Sequence, residues 1–295
     1  MTTSATYLLS VVIPIGPLRG RLQAIQKTVN DCRVLPVQLI LVCDDHQDGT
    51  KEELENILNT CMIQNVELIS GEFNGPGRAR TAGLALTSAP WIAFWDADDY
   101  PSVQKSLLAI GELNVSSADV ICNQYAIHDD TSMEKIYGST VRVSESENLR
   151  AIGTQPGIWR FLFRKELISD MEFFDSRMGE DQEFLARVFV KNPKIQFTTH
   201  QAYQYLVSRI GQLTGDKSNI SQLVDIAPRL KSAYLKAPAK YQECLKLMLN
   251  QVVLTMAMGG DKKVRLGAVK YMAVNLFSFL GCFFIILREK RLRNG

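Results

Sequence analysis

The sequence predicts an α/β chain: a mostly parallel central sheet flanked by helices, with a C-terminal helical extension. Three observations predict it. Short β-branched apolar runs alternate with helix-compatible segments through the first half. Several of those runs stop at a proline or at acidic residues. From about residue 218 onward the pattern is helical throughout.

The first run, LLSVVIP at 8–14, is stopped by Pro14 and has the continuous apolar character of a buried parallel strand. A helix-compatible segment follows from about Arg21. VQLILVC at 37–43 is a second strand, ending in Asp44 and Asp45, and the turn HQDGT opens the charged helix KEELENILNTC. VELIS at 66–70 is a third strand, then the loop GEFNGPG and the helix RARTAGLALTS. WIAFW at 91–95 is a fourth, PSVQKSLLAIGEL a helix with Pro101 near its start, and ADVICNQYAI at 118–127 a fifth strand. Residues 128–150 are polar and read as a loop or hairpin. GIWRFLFRKELI is apolar and aromatic with basic residues interleaved. GEDQEFLARVFV at 179–190 is a helix with an acidic start, and IQFTTHQAYQYLV is strand-like. This order brings strand ends to one edge, where open α/β sheets bind ligands.

Bulk properties exclude some functions. Lys plus Arg number 33 against 31 acidic residues, a net of +2 that gives no general attraction to nucleic acid. The six cysteines are scattered without a CxxC pair, as in buried reduced thiols of a cytosolic protein, and they offer no structural zinc site. The N-terminus lacks the basic start and long apolar core of a signal peptide.

The chemistry gathers at the strand ends. Asp96, Asp98 and Asp99 follow an apolar strand, and crowding that much charge is costly unless a cation or proton is shared. Aspartates two apart can hold Mg²⁺ or Mn²⁺ together with diphosphate oxygens. The alternative is an acidic turn capping the next helix. Asp44 can accept hydrogen bonds from a base N–H or ribose hydroxyls. The loop GPGRARTAG follows a strand and opens a helix but departs from GxGxxG, since the glycine after Gly75 and Gly77 is Gly83. Its arginines suit a phosphate contact or a solvated helix start. Glu180 and Asp181 fall in a helix's first turn, where the dipole keeps carboxylates ionised. Such a group is a candidate general base, or a simple helix cap.

Together these residues resemble glycosyltransferase family 2, inverting enzymes with a GT-A Rossmann-like fold. The resemblance rests on SVVIP, LILVCDDHQDGT, NGPGRARTAG, WIAFWDADD, GIWRFLFRKELI, MGEDQEF and YQYLVSRIGQLT, in order from Leu8 to Thr214. It implies a catalytic domain at 1–215 and a C-terminal helical region at 216–295. It places Pro14, Asp44, Arg80, Asp96 and Asp98 at a nucleotide-sugar, with Asp98 and Asp96 holding Mn²⁺ or Mg²⁺. Asp181 becomes the catalytic base beside Glu180, Asp99 a supporting residue, and Trp159 belongs to the acceptor side. The donor implied is a UDP-sugar, and the acceptor a glycan or lipid-linked hydroxyl.

The run from Ala268 to Leu287 is apolar nearly all round, but after Lys270 it is short for a span, which needs roughly 20 residues. Basic clusters flank it at Lys262, Lys263, Arg265 and Lys270, and again at Arg288, Lys290, Arg291 and Arg293. Crossing would carry the second cluster away from the cytoplasm. A helix at 264–293 lying on the inner face of the cytoplasmic membrane keeps both near anionic lipid. The alternative is a core or dimer helix. Two rival functions remain: a sugar nucleotidyltransferase, and a non-catalytic, membrane-tethered nucleotide-sugar-binding protein.

Overall fold

The computed structural model describes residues 7–17, 22–44, 48–61, 65–112, 118–207, 217–274 and 280–286. Asp45, the end of the YQYLVSRIGQLT segment including Gly211 and Gln212, part of the apolar C-terminal run, and the last basic cluster lie outside the described residues. The chain divides into two compact units. The first comprises residues 1–141, 158–173 and 193–208; the second comprises 142–157, 174–192 and 209–295.

The first unit holds the sheet. Among the described residues it has nine strands. Strand β1 (Leu9–Ile15) is central, with β2 (Val37–Asp44) and β4 (Trp91–Phe94) parallel on its two sides and β3 (Val66–Gly71) parallel beyond β2. The register places Val12 opposite Ile40 on one side and Phe94 on the other. All three are fully buried, and burying each side chain contributes about 1.5–3 kcal/mol. These strands carry the predicted parallel order. Beyond β4 the sheet becomes mixed: β8 (Phe161–Arg164) runs antiparallel between β4 and β6 (Val120–Asp129). Next comes β9 (Ile195–Val207), parallel to β6. The short β5 (Tyr100–Pro101) runs antiparallel to β9, and β7 (Lys135–Gly138) forms the hairpin partner of β6.

Helix α1 (Leu22–Cys32) packs on β2 and β5, α3 (Pro76–Leu86) on β1 and β2, and α4 (Val103–Glu112) on β6 and β9. Helix α2 (Thr50–Cys61) links β2 to β3, and the single turn α6 (Lys165–Ile168) follows β8. The contact of α3 is unusually close because Gly83 faces the sheet. A Cβ there would collide with Val12 Cγ1 and lie 3.0 Å from Val42 Cγ2. That approach seats α3 directly on β1 and β2.

The second unit is helical. Helix α9 (Ala239–Gly259) packs against α5 (Glu145–Thr154), α7 (Glu180–Val190), α8 (Leu223–Lys236) and α10 (Lys262–Val274). Phe189 of α7 stacks on Tyr241 of α9 with centroids 5.0 Å apart. Residues 280–286 are helical, with Cys282 and Ile286 packed on Leu247. Among the described residues, no helix is long and apolar enough to cross a membrane.

The Gly83 contact yields a stability prediction. Gly83→Ala should destabilise the fold by about 1–3 kcal/mol through overpacking, despite alanine's better helix propensity, as read by urea unfolding.

Candidate active site

The site grows from the C-terminal ends of β2 and β4. Backbone pairing of β1 with β4 extends one residue past the strand, Trp95 N–H donating to Val12 O at 3.1 Å. Asp96 therefore leaves the sheet from a fixed point, and Ala97 and Asp98 form the turn that follows.

Asp44 ends β2 and is buried. Its Oδ1 accepts the Phe73 and Asn74 N–H groups at 2.7 and 3.0 Å, and its Oδ2 accepts Gly75 N–H at 2.9 Å. One carboxylate thus satisfies three successive amides of the loop that enters α3. Gly75, at φ 144°, takes a conformation costly for any residue with a Cβ, and Pro76 starts the helix with φ already suited.

One turn into α3, Arg80 is 5% exposed, and its Nη2 donates to Asp96 Oδ1 at 2.7 Å. Its guanidinium lies 5.7 Å from the Phe173 ring centroid, and Phe173 meets Phe94 edge-on at 4.9 Å. Thr81 secures that floor: its hydroxyl accepts Phe173 N–H at 2.8 Å and donates to Gly77 O.

Asp99 turns inward. Its carboxylate accepts Leu206 N–H at 2.8 Å and the Tyr203 hydroxyl at 2.9 Å. Burial, then the charges of Asp98 and Asp96, push its carboxyl well above the usual range against those two hydrogen bonds. Burial, and then the charges of Asp99 and Asp96, likewise raise the Tyr203 phenol, which stays protonated and donates.

Of the remaining expected residues, Pro14 is half-buried on β1 opposite Val42. Trp159 lies in the 3₁₀ turn Ile158–Arg160 and is 5% exposed. It stacks on Tyr203 at 4.5 Å and Tyr205 at 5.5 Å, with Tyr125 edge-on. Glu180 and Asp181 belong to the second unit and open α7, as their first-turn spacing predicts. Glu180 is buried, and Asp181 Oδ1 accepts Gln182 N–H at 2.7 Å. Gly179, at φ 83°, precedes them and leaves room for Leu223 and Ile226. Glu183, one turn later, grips Arg187 through both carboxylate oxygens.

The structure therefore assembles Asp96, Asp98 and Arg80 at one strand end, with Asp44 holding the neighbouring loop. Sequence reasoning missed Thr81, Phe173 and Tyr203 as partners. The alternation in QAYQYLV could have flagged Tyr203 as an inward residue. As a metal site, Asp96 and Asp98 offer hard oxygen donors on a partly exposed turn, suited to an ion that completes its shell from substrate oxygens. No cluster of three or more His, Cys, Asp or Glu side chains forms a complete protein cage among the described residues.

The model of the family described as "Glycosyl transferase family 2" matches residues 10–176. The chain belongs to glycosyltransferase family 2. It is 23% identical over 236 residues to Glycosyltransferase GlyG of Streptococcus pneumoniae serotype 4, covering 74% of this chain and 77% of that protein. The structure of Staphylococcus aureus TarS 1–349 in complex with UDP-GlcNAc superimposes with TM-score 0.63 at 16% identity, over 96% of this chain and 81% of that one. The mannosyltransferase PcManGT of Pyrobaculum calidifontis, in complex with GDP-Man and Mn²⁺, gives 0.60 at 13% identity, over 99% and 88%. The GT-A fold is thus established, and the chain is a glycosyltransferase. Membership of this family sets aside the nucleotidyltransferase and non-catalytic alternatives.

Asp44 generates the prediction here. Asp44→Ala removes the acceptor of three amides and should cost about 1–3 kcal/mol of stability, as measured by urea unfolding. An unchanged unfolding midpoint would mean water replaces the carboxylate.

Proposed function

We propose that this family 2 enzyme is an inverting transferase moving a sugar from a UDP-sugar to the hydroxyl of a lipid-linked or growing cell-surface glycan. One observation carries the reading: a buried arginine and two partly exposed aspartates converge at the end of β4. A metal-bound diphosphate calls for such a mixture of hard oxygen donors and a fixed guanidinium. The TarS complex with UDP-GlcNAc and the PcManGT complex with GDP-Man and Mn²⁺ support a nucleotide-sugar donor and a divalent ion, with UDP the first nucleotide to test.

In this mechanism Asp98 and Asp96 would hold Mn²⁺ or Mg²⁺, which when bound supplies Lewis-acid stabilisation of the departing diphosphate. Arg80 holds the Asp96 carboxylate in place and brings a fixed positive charge to the nucleotide side. Asp44 keeps the 73–75 loop closed and stands at the base end of the nucleotide. Pro14 borders the nucleotide on β1. Asp181 takes the proton of the acceptor hydroxyl as that oxygen forms its bond to the anomeric carbon and the diphosphate oxygen leaves, which inverts the centre. Glu180 supports it from the same helical turn, and Trp159 serves the acceptor side through its aromatic stack. Residues 1–215 make up the catalytic domain, extended by the helical region 216–295.

The test is calorimetric titration of UDP and GDP with and without Mn²⁺, followed by turnover of the matching sugar nucleotide. Asp98→Ala should lose metal-dependent binding and turnover together. Asp181→Asn should keep nucleotide binding and lose turnover by about 10²–10⁴-fold. Wild-type rates in Asp181→Asn would remove it as the base.

The C-terminal helices support a peripheral membrane location. Leu266 and Val269 on α10, and Leu280 and Phe284 beyond it, are exposed, while Lys262, Lys263, Arg265 and Lys270 are exposed among them. Apolar residues interleaved with lysine and arginine suit the headgroup layer of an anionic cytoplasmic leaflet. In flotation assays the full chain should bind phosphatidylglycerol-containing vesicles, and Leu266→Asp with Phe284→Asp should abolish it. Equal recovery of wild type and variant would refute this attachment.

A further inference from the structure

One phenol oxygen on β9 bonds at two points to the turn that carries Asp96 and Asp98. Tyr203 Oη accepts the Asp96 N–H at 3.0 Å and donates to Asp99 Oδ2 at 2.9 Å. Leu206 N–H, three residues further along β9, donates to the other oxygen of Asp99 at 2.8 Å. Tyr203 and Asp99 are each 1% exposed. The Tyr203 ring is clamped flat against Trp159, with planes 13° apart, so its hydroxyl has little freedom to follow a moving partner. Both oxygens of Asp99 thus face protein donors, while Asp96 and Asp98 are partly exposed.

We propose that Tyr203 is a positioning residue for the metal-binding carboxylates, fixing the Asp96–Asp98 turn through the Asp96 amide and through Asp99, which serves as anchor and not as ligand. The inference rests on the reading of Asp96 and Asp98 as the metal site. Its physical basis is the simultaneous loss that follows if the hydroxyl is removed. A backbone amide and a buried carboxylate lose their shared partner together, and Asp99 then has fewer hydrogen bonds to offset the charges of its two neighbours. The turn can relieve both by shifting, and a shift there moves the ligands themselves. Groups that orient a metal's ligands from behind commonly carry 10–100-fold of its affinity, by the general rule for such partners.

The test is a manganese titration followed by electron paramagnetic resonance of free Mn²⁺, at saturating UDP, on full-length wild type, Tyr203→Phe and Tyr205→Phe. Tyr203→Phe keeps the ring and its stack on Trp159 and removes only the hydroxyl. Tyr205→Phe makes the same change two residues further along β9, on the other ring stacked on Trp159. Tyr203→Phe should bind Mn²⁺ roughly tenfold or more weakly, with metal-free UDP affinity unchanged, while Tyr205→Phe matches wild type. Equal weakening in both variants would reduce Tyr203 to general support of the aromatic stack and overturn the proposal. Unchanged Mn²⁺ affinity in Tyr203→Phe, with a normal wild-type titration, would overturn it while leaving the metal site intact. Absence of UDP-dependent Mn²⁺ binding in the wild type would overturn the metal reading and this inference with it. Should Tyr203→Phe not fold, Asp99→Asn, which keeps an acceptor for the Leu206 amide, takes its place: weakened Mn²⁺ binding supports the anchor, and wild-type binding removes it.

Discussion

Negative charge at the ends of buried parallel strands must be compensated locally, and that constraint shapes most of the first unit. β1, β2 and β4 are buried almost throughout, so the sheet interior offers these carboxylates nothing. Each one leaving the sheet finds a different answer. Asp44 gathers three amides, Asp96 takes a buried arginine, and Asp99 takes a phenol and an amide from β9. These answers are also the contacts that fix the two loops beside the strand ends. Charge compensation and loop placement are one set of interactions.

Helix α3 is the element that links them. Its entry loop is held by Asp44, its second turn presents Arg80 to Asp96, and Gly83 lets it lie close on Val12 and Val42. Thr81 turns back to fix Phe173, which supports the guanidinium from below. A change in how α3 packs therefore moves a charged group at the site as well as a core contact. Fold stability and site geometry share residues here, and few substitutions on this helix would alter only one of them.

Much of this architecture was legible in the sequence. The parallel core announced itself because each strand is a short β-branched run bounded by turn residues or acids, a local signal. The insertion of β8 between β4 and β6 was not legible: FLFR is four residues long, and its partners are distant in sequence. The helical start at Glu180 and Asp181 was readable from acidic residues ahead of an apolar periodic stretch. No local signal separated Asp96 from Asp99, which only the family resemblance gave different roles. They are chemically identical residues in one turn, and which faces inward is decided by a tyrosine more than a hundred positions later.

The second unit draws its helices from separated stretches, with the chain leaving and re-entering the first unit between them. Helices α5 and α7 both pack on α9, which is synthesised well after them. On the ribosome, at about 5–20 residues per second, their apolar faces wait seconds for that cover. The order of the chain thus sets how long these faces stay uncovered during synthesis.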